Sequence, residues 1–83
     1  MKIQIYSSQW CAPCNAAKKL LDSLDVDYGV VDMEENNLTR SQLFDLTGGN
    51  SIPQIVINGE CIGGFTELRD LHSNGKLEEM LKE

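Results

Sequence analysis

Two cysteines, Cys11 and Cys14, are the residues of this sequence whose type and spacing could do chemistry. Thiols separated by two residues can close a small disulfide ring, or they can supply two ligands to a metal ion. The segment before them, Lys2 to Tyr6, alternates polar and apolar residues as a half-buried strand does. The segment after them repeats apolar side chains at helical spacing, at Ala17, Leu20, Leu21 and Leu24.

This change from strand to helix predicts that Cys11 lies at a helix N-terminus. Unpaired backbone N–H groups and the positive end of the helix dipole stabilise an anion there, so a thiol is shifted toward its reactive thiolate. Cys14, one turn further along, is close enough to form a disulfide with Cys11. A zinc site would normally need a second pair of ligands, and only Cys61 and His72 remain. We therefore interpret the two thiols as a redox pair and predict no metal site.

Length and composition set the class of protein. The 83 residues, of which 41% are hydrophobic, are enough for one domain over residues 1–83. No stretch approaches the roughly 18 apolar residues of a membrane span, and the N-terminus lacks the apolar run of a signal peptide. Three cysteines do not make the disulfide framework of a secreted domain. We therefore expect a cytoplasmic protein that does not associate with membranes.

The charge balance excludes one class of partner. Seven basic and thirteen acidic residues give a net charge of −6. Such a surface repels phosphate, so we expect no nucleic acid partner.

The middle of the chain predicts a second strand and a second helix. Val26 to Met33 is interpreted as a strand that a crossover would place parallel to the first. Thr39 and Gln42 have the capping-box spacing, so a helix should begin there and end at Gly48-Gly49.

The last third predicts a hairpin and a helix. Asn58-Gly59 is a strong hairpin signal between two antiparallel strands, Gln54–Ile57 and Glu60–Ile62. Apolar residues beyond them give a C-terminal helical segment, interrupted at Asn74-Gly75. The expected order is β-α-β-α-β-β-α, with a four-stranded mixed sheet flanked by helices.

Three signals together resemble a known family. Cys11-Ala12-Pro13-Cys14 follows a first strand, Ser51-Ile52-Pro53-Gln54 looks like the Thr-Val-Pro-Gln segment of glutaredoxins, and Gly63-Gly64 comes just after the hairpin. In identity and order, over nearly the full length, the chain resembles a small dithiol glutaredoxin of the thioredoxin superfamily. The resemblance implies a thioredoxin-like α/β fold and a thiol–disulfide oxidoreductase.

The resemblance also implies roles for the cysteines and the segment opposite them. Cys11 would attack the substrate disulfide and Cys14 would resolve the mixed disulfide. Pro53 would follow a cis peptide bond and face the cysteine pair. If the resemblance is set aside, Pro53 is interpreted as an ordinary proline at the start of a strand. The backbone of Ile52, after Ser51, would pair with the cysteinyl part of glutathione like an added strand.

Further contacts with glutathione are implied on either side. Gly64 resembles the turn at which backbone N–H groups of the last helix hold the γ-glutamyl carboxylate, and this group of residues continues through Phe65, Thr66 and Glu67. Arg40 matches the second-helix position that offers a side chain to the glycyl carboxylate, with a solvated helix residue as the alternative. Trp10 would form one wall of the groove that binds the partner, and Pro13 is expected to be a binding residue of the same site.

Some positions depart from the family. Ser8 stands where glutaredoxins commonly have a lysine that holds a glutathione carboxylate and favours the thiolate. Trp10 and Pro13 resemble the Trp-Cys-Gly-Pro-Cys site of thioredoxins, and Thr66-Glu67 replaces the more usual Ser-Asp or Asp-Asp. A hybrid Trp-Cys-Ala-Pro-Cys active site is therefore expected.

The function implied is a glutathione-linked oxidoreductase that reduces protein disulfides or glutathione mixed disulfides. Glutathione would be the reductant, and no cofactor would be tightly bound. Ribonucleotide reductase is a frequent protein substrate of such glutaredoxins. We expect the protein to be a monomer. Two alternatives stay open. One is recharging by thioredoxin reductase, and the other is a [2Fe–2S] cluster bridging two subunits, which Ala12 permits and Cys14 argues against.

Other reactive or charged residues have simpler interpretations. Cys61 is expected to be a small strand residue and His72 an exposed helix residue. Asp32, Glu34 and Glu35 are interpreted as a solvated loop.

Overall fold

The computed structural model describes residues 3–9, 11–49 and 51–81. Lys2, at the start of the predicted first strand, and Trp10 lie outside the described residues. The described parts form four strands and four helices: β1 (Ile3–Ser7), α1 (Ala12–Ser23), β2 (Gly29–Asp32), α2 (Arg40–Thr47), β3 (Gln54–Ile57), β4 (Glu60–Gly63), α3 (Phe65–Ser73) and α4 (Lys76–Leu81).

The four strands form one mixed sheet in the order β2-β1-β3-β4. β1 pairs parallel with β2, whereas β3 is antiparallel to both β1 and β4. The hairpin turns at Asn58 and Gly59, whose φ angles of 52° and 85° are both positive, as a type I′ turn requires. The predicted four-stranded mixed sheet and its thioredoxin-like fold class are confirmed.

Alternation along β1 places the core on one side of the strand. Ile3 and Ile5 are buried, while Gln4 and Tyr6 are only partly so. α1 and α3 pack against each other, and both contribute to the same cluster of buried apolar side chains. The cluster consists of Ile3, Ile5, Ala17, Leu21, Ile55, Ile57, Leu68 and Leu77.

α2 begins and ends where the sequence predicts. Thr39 accepts the backbone N–H of Gln42, and the Gln42 side chain accepts the N–H of Thr39, which completes the capping box. Gly48 ends the helix in the left-handed conformation, with φ 83°. These two caps fix Arg40 at the first position of the helix.

Two predicted boundaries are wrong. β2 is shorter than Val26 to Met33. Its pairing with β1 begins only at Gly29, opposite Gln4, while Val26 and Tyr28 pack against the core, and Asp32 ends the strand by accepting two following N–H groups. β4 extends one residue beyond Ile62. The predicted interruption at Asn74-Gly75 is confirmed and separates α3 from α4, so the element order ends with two helices.

Candidate active site

Cys11 and Cys14 form a disulfide at the start of α1, with their Cα atoms 5.2 Å apart. Cys11 is the N-cap residue of the helix, and its Sγ accepts the backbone N–H of Cys14 at 3.2 Å. The predicted position of Cys11 at a helix N-terminus is therefore confirmed. In this state Cys11 is 8% exposed and Cys14 is fully buried, so Cys11 is the more accessible residue of the pair.

The segment before β3 faces this pair. The Ile52–Pro53 peptide bond is cis, as the resemblance implied. The carbonyl oxygen of Ile52 lies 3.9 Å from the Sγ of Cys11. The buried side chain of Gln54 donates its Nε2–H to the carbonyl oxygen of Ser51 at 2.8 Å, which fixes this segment against the sheet. Backbone atoms of Ile52 are thus held beside the reactive sulfur.

A cleft of about 570 Å³ lies on one side of Ile52. We call it the glycine cleft, because Gly63 and Gly64 form part of its wall. Most of the predicted binding residues line it: Pro13 from α1, Ser51, Ile52 and Pro53 before β3, and Gly64, Phe65, Thr66 and Glu67 at the start of α3. The structure therefore brings these residues together next to the cysteine pair.

The carboxylate of Glu67 already occupies part of the start of α3. Its Oε2 accepts the backbone N–H of Gly64 at 3.1 Å. A Cβ atom on Gly63 would lie 2.9 Å from the Cγ of Glu67, so the side chain lies flat against this glycine. Gly63 also has a φ of 109°, which L side chains rarely adopt. The Gly64 N–H that the resemblance implied for a substrate carboxylate is thus capped by the protein itself.

A second cleft, of about 560 Å³, lies on the other side of Ile52. Its wall includes Ser8, Glu34 and Arg40, and we call it the Glu34 cleft. Arg40 is therefore near Ile52, as implied, but not in the cleft that holds Gly64. The hydroxyl of Ser8 donates a hydrogen bond to the Oε1 of Glu34.

Sequence reasoning placed Glu34 in a solvated loop, and its side chain is exposed, but the hydrogen bond with Ser8 was not predicted. The signal that could have found it is the parallel pairing of β1 and β2. Ser7 lies opposite Asp32 in this register, and the carboxyl ends of parallel strands meet at one edge of a sheet. Residues that follow the two strands, including Ser8 and Glu34, are therefore neighbours.

The remaining candidates lie at the margin of the site or outside it. Cys61 is a half-buried free cysteine on β4 that lines the glycine cleft, and its Sγ lies 3.4 Å from the Oε1 of Gln54. His72 joins α3 to α4 through Glu78, with 2.8 Å between Nδ1 and Oε1. The part of the chain that the structure describes contains no group of three metal-ligating side chains.

Tyr28, which lies outside both clefts, is hydrogen-bonded to α1. Partial burial of Tyr28 raises the pKa of its phenol, and its hydrogen bond to Asp22 and the charge of that carboxylate act in the same direction. The hydroxyl donates to the Oδ1 of Asp22 at 2.9 Å. This pair fastens the segment after α1 back onto the helix.

No helix in the described ranges is long and apolar enough to cross a membrane.

Comparison with known proteins defines the class first. The crystal structure of the buckwheat glutaredoxin–glutathione complex superposes with a TM-score of 0.87 at 29% identity, covering 96% of this chain and 76% of that one. The mixed sheet and the cysteine pair at the start of α1 accordingly belong to a glutaredoxin-type thioredoxin-like fold.

The sequence comparisons then show the family. The glutaredoxin profile matches residues 3–62. Glutaredoxin-2, mitochondrial, of Pongo abelii is 40% identical over 78 residues, which are 90% of this chain and 48% of that protein. Glutaredoxin 3 of Escherichia coli is 32% identical over 80 residues, which are 96% of both chains. The chain belongs to the glutaredoxin family, and it spans about half the length of the mitochondrial relatives that it matches.

Proposed function

We propose that this protein is a glutathione-linked thiol–disulfide oxidoreductase that reduces protein disulfides or glutathione mixed disulfides. The observation that carries the proposal is the Cys11–Cys14 disulfide at the start of α1, with the Ile52 carbonyl oxygen 3.9 Å from the Cys11 sulfur. A dithiol at a helix N-terminus, beside backbone that a substrate can pair with, has the parts that thiol exchange requires.

In the proposed reaction Cys11 attacks and Cys14 resolves. The thiolate of Cys11 attacks one sulfur of the substrate disulfide, the S–S bond breaks, and the leaving thiolate takes a proton from water. Cys14 then loses its proton and attacks the sulfur of Cys11, which releases the second substrate thiol and closes the protein disulfide. The Cys14 N–H beside the Cys11 sulfur, at 3.2 Å, would stabilise the thiolate whenever it is free.

Glutathione would supply the two electrons that restore the dithiol. One glutathione thiolate attacks the protein disulfide and forms a mixed disulfide with Cys11, and a second glutathione attacks the glutathionyl sulfur and leaves as glutathione disulfide. The buckwheat relative, whose structure is that of a glutathione complex, supports this reductant. No tightly bound cofactor enters this scheme.

We place glutathione across the two clefts. Its cysteinyl backbone would pair with Ile52 before Pro53. Its γ-glutamyl end would enter the glycine cleft at the start of α3, where it would compete with the Glu67 carboxylate for the Gly64 N–H. Its glycyl carboxylate would lie toward Arg40 in the Glu34 cleft. Trp10 and Pro13 would give this site a wall of the thioredoxin type, as the hybrid Trp-Cys-Ala-Pro-Cys motif suggests.

The wider setting follows from composition and family. We propose a cytoplasmic monomer with protein disulfides as substrates, ribonucleotide reductase among them. The net charge of −6 supports the absence of a nucleic acid partner. Neither recharging by thioredoxin reductase nor [2Fe–2S] binding is favoured by the relatives found.

A coupled assay tests the proposal. Consumption of NADPH is followed with a glutathione mixed disulfide as substrate, once with glutathione and glutathione reductase and once with thioredoxin reductase alone. Turnover that requires glutathione supports the proposal, whereas turnover only with thioredoxin reductase contradicts it. A stoichiometric visible chromophore after anaerobic purification would instead favour the cluster.

A further inference from the structure

Glu34 lies on the wall of a cleft that has Ile52 in common with the cysteine site. Its carboxylate accepts the hydroxyl hydrogen bond of Ser8, and both residues line the Glu34 cleft together with Ile52. The carbonyl oxygen of Ile52 is in turn 3.9 Å from the Sγ of Cys11. A partner that reacts at Cys11 and extends past Ile52 into this cleft therefore meets the negative charge of Glu34.

The backbone at Glu34 is held in place. The Oδ1 of Asp32 accepts the N–H of Glu34 at 2.9 Å and the N–H of Glu35 at 3.1 Å. The backbone N–H of Asn36 then bonds to the carbonyl oxygen of Asp32 at 3.1 Å. Since the turn and the Ser8 hydroxyl already restrict this carboxylate, little further ordering is needed when it meets a cation.

We propose that Glu34 determines which disulfide partners the cysteine site prefers. It favours partners with a basic side chain next to the reacting cysteine and disfavours partners with an acidic one. The inference rests on the proposed oxidoreductase function and adds the charge of the preferred substrate to it. A basic protein segment is thus the better partner on this side of Ile52.

Arg40 is the opposing charge in the same cleft, and the structure gives two reasons why the negative side prevails. Ser8, which is only three residues before Cys11, holds the Glu34 carboxylate at the end of β1. The chain as a whole has a net charge of −6, so its field adds to that of Glu34 and opposes that of Arg40. Arg40 then limits the preference rather than reversing it.

The expected size of the preference is modest. The interaction of a partly exposed charge pair changes a rate constant by less than tenfold, and we expect a preference of about two- to five-fold. Because the interacting groups are solvent-accessible, the preference should fall as salt screens them.

The test compares two peptide probes. They are symmetric disulfides of a capped pentapeptide, identical except that the cysteine is flanked by lysine in one and by glutamate in the other. In the step measured, the Cys11 thiolate attacks the peptide disulfide, the S–S bond breaks, and the released peptide thiolate takes a proton from water. Each second-order rate constant is divided by that for uncharged dithiothreitol, which corrects for the intrinsic reactivity of the probe.

We expect the protein to prefer the lysine probe by about two- to five-fold at low ionic strength. Glu34→Gln keeps an acceptor for the Ser8 hydroxyl and removes only the charge, so it should lower the ratio and leave only the part that comes from the net charge of the chain. Glu35→Gln is the matched control, because it changes the net charge equally from a residue that does not line the cleft. Arg40→Gln should increase the preference.

Three results would overturn the inference. They are equal rates for the two probes, a preference that Glu34→Gln leaves unchanged, and a loss of preference that is as large in Glu35→Gln as in Glu34→Gln. Failure of the proposed function is distinguishable from these, since it would appear as no exchange with either probe while dithiothreitol reduces both.

Discussion

The two clefts beside Ile52 are built from different parts of the chain. In the glycine cleft the polar groups at the start of α3 are backbone N–H groups together with the Glu67 carboxylate that caps one of them, and the approach to them depends on Gly63 and Gly64. A Cβ on Gly64 would come within 3.3 Å of the Pro53 carbonyl oxygen. In the Glu34 cleft the polar groups are side chains from three separate elements: Ser8 after β1, Glu34 after β2 and Arg40 at the start of α2.

This difference determines which substrate contacts in each cleft a single substitution can change. A backbone surface is kept by any sequence that preserves its glycines and its cis proline segment, so it suits a contact common to all substrates. A side-chain surface changes with single substitutions, so it suits a contact that sorts substrates. We therefore expect substitutions in the glycine cleft to affect stability and glutathione use, and those in the Glu34 cleft to affect selectivity.

The largest effects should come from the cysteines. They lie beside Ile52, the residue that lines both clefts. Cys11→Ser should abolish reduction of every substrate, because it removes the attacking sulfur. Cys14→Ser should retain deglutathionylation of small mixed disulfides and lose most reduction of protein dithiol substrates, because only the latter need the resolving thiol. The measurement is turnover of both substrate types with glutathione and glutathione reductase. An equal loss of the two activities in Cys14→Ser would contradict the assignment.

The next largest effect should come from the backbone of the glycine cleft. Gly63→Ala places a Cβ at φ 109° and 2.9 Å from the Cγ of Glu67, so it should lower the free energy of unfolding by about 1–3 kcal/mol. Gly29→Ala is the control, since its φ is ordinary and its Cβ would be 3.9 Å from the nearest atom, the Ile3 carbonyl oxygen. That strand variant should be about 0.5–1 kcal/mol more stable than the parent. Urea unfolding measures both, and equal effects would remove the structural role given to Gly63.

The contrast between the clefts also explains how much the sequence could predict. Gly48 and Asn58-Gly59 have local conformational meaning, so the end of α2 and the hairpin could be predicted from the chain itself. Pro53 and the residues of the glycine cleft could be predicted only from the resemblance to glutaredoxins. The Glu34 cleft required the register of β1 against β2, because Ser8 and Glu34 are 26 residues apart. A charged residue after a strand is usually solvated, and only the pairing shows that this one meets Ser8.

A substitution at Glu67 should have a smaller effect. It tests the contribution of the side-chain charge in the glycine cleft separately from that of the backbone. Glu67→Gln can still accept the Gly64 N–H, but it removes a negative charge from the place proposed for the γ-glutamyl carboxylate. The KM for glutathione should therefore fall by about two- to five-fold, with little change in kcat. Glu60→Gln on β4 makes the same change in net charge outside this cleft and should leave KM unchanged. An unchanged KM in Glu67→Gln would place the γ-glutamyl end elsewhere.

The smallest effect should come from restoring the lysine of the family at the other cleft. The sequence alone predicts that Ser8→Lys favours the Cys11 thiolate and improves the use of glutathione. The structure gives the new ammonium a nearer partner, because the Ser8 hydroxyl already points to the Glu34 carboxylate. The added charge should therefore be largely compensated in the parent, with less than about a twofold gain in the rate of Cys11 alkylation near neutral pH.

Removing that carboxylate should uncover the effect of the added lysine. In the Glu34→Gln background the ammonium has no carboxylate there to compensate it, and the gain should rise to about two- to five-fold and fade with added salt. Alkylation rates of the parent, the two single variants and the double variant, measured at low and high ionic strength, form a double-mutant cycle. A gain that is equal in both backgrounds would mean that the introduced ammonium and Glu34 do not interact, and that the Glu34 cleft does not control the charge near Cys11.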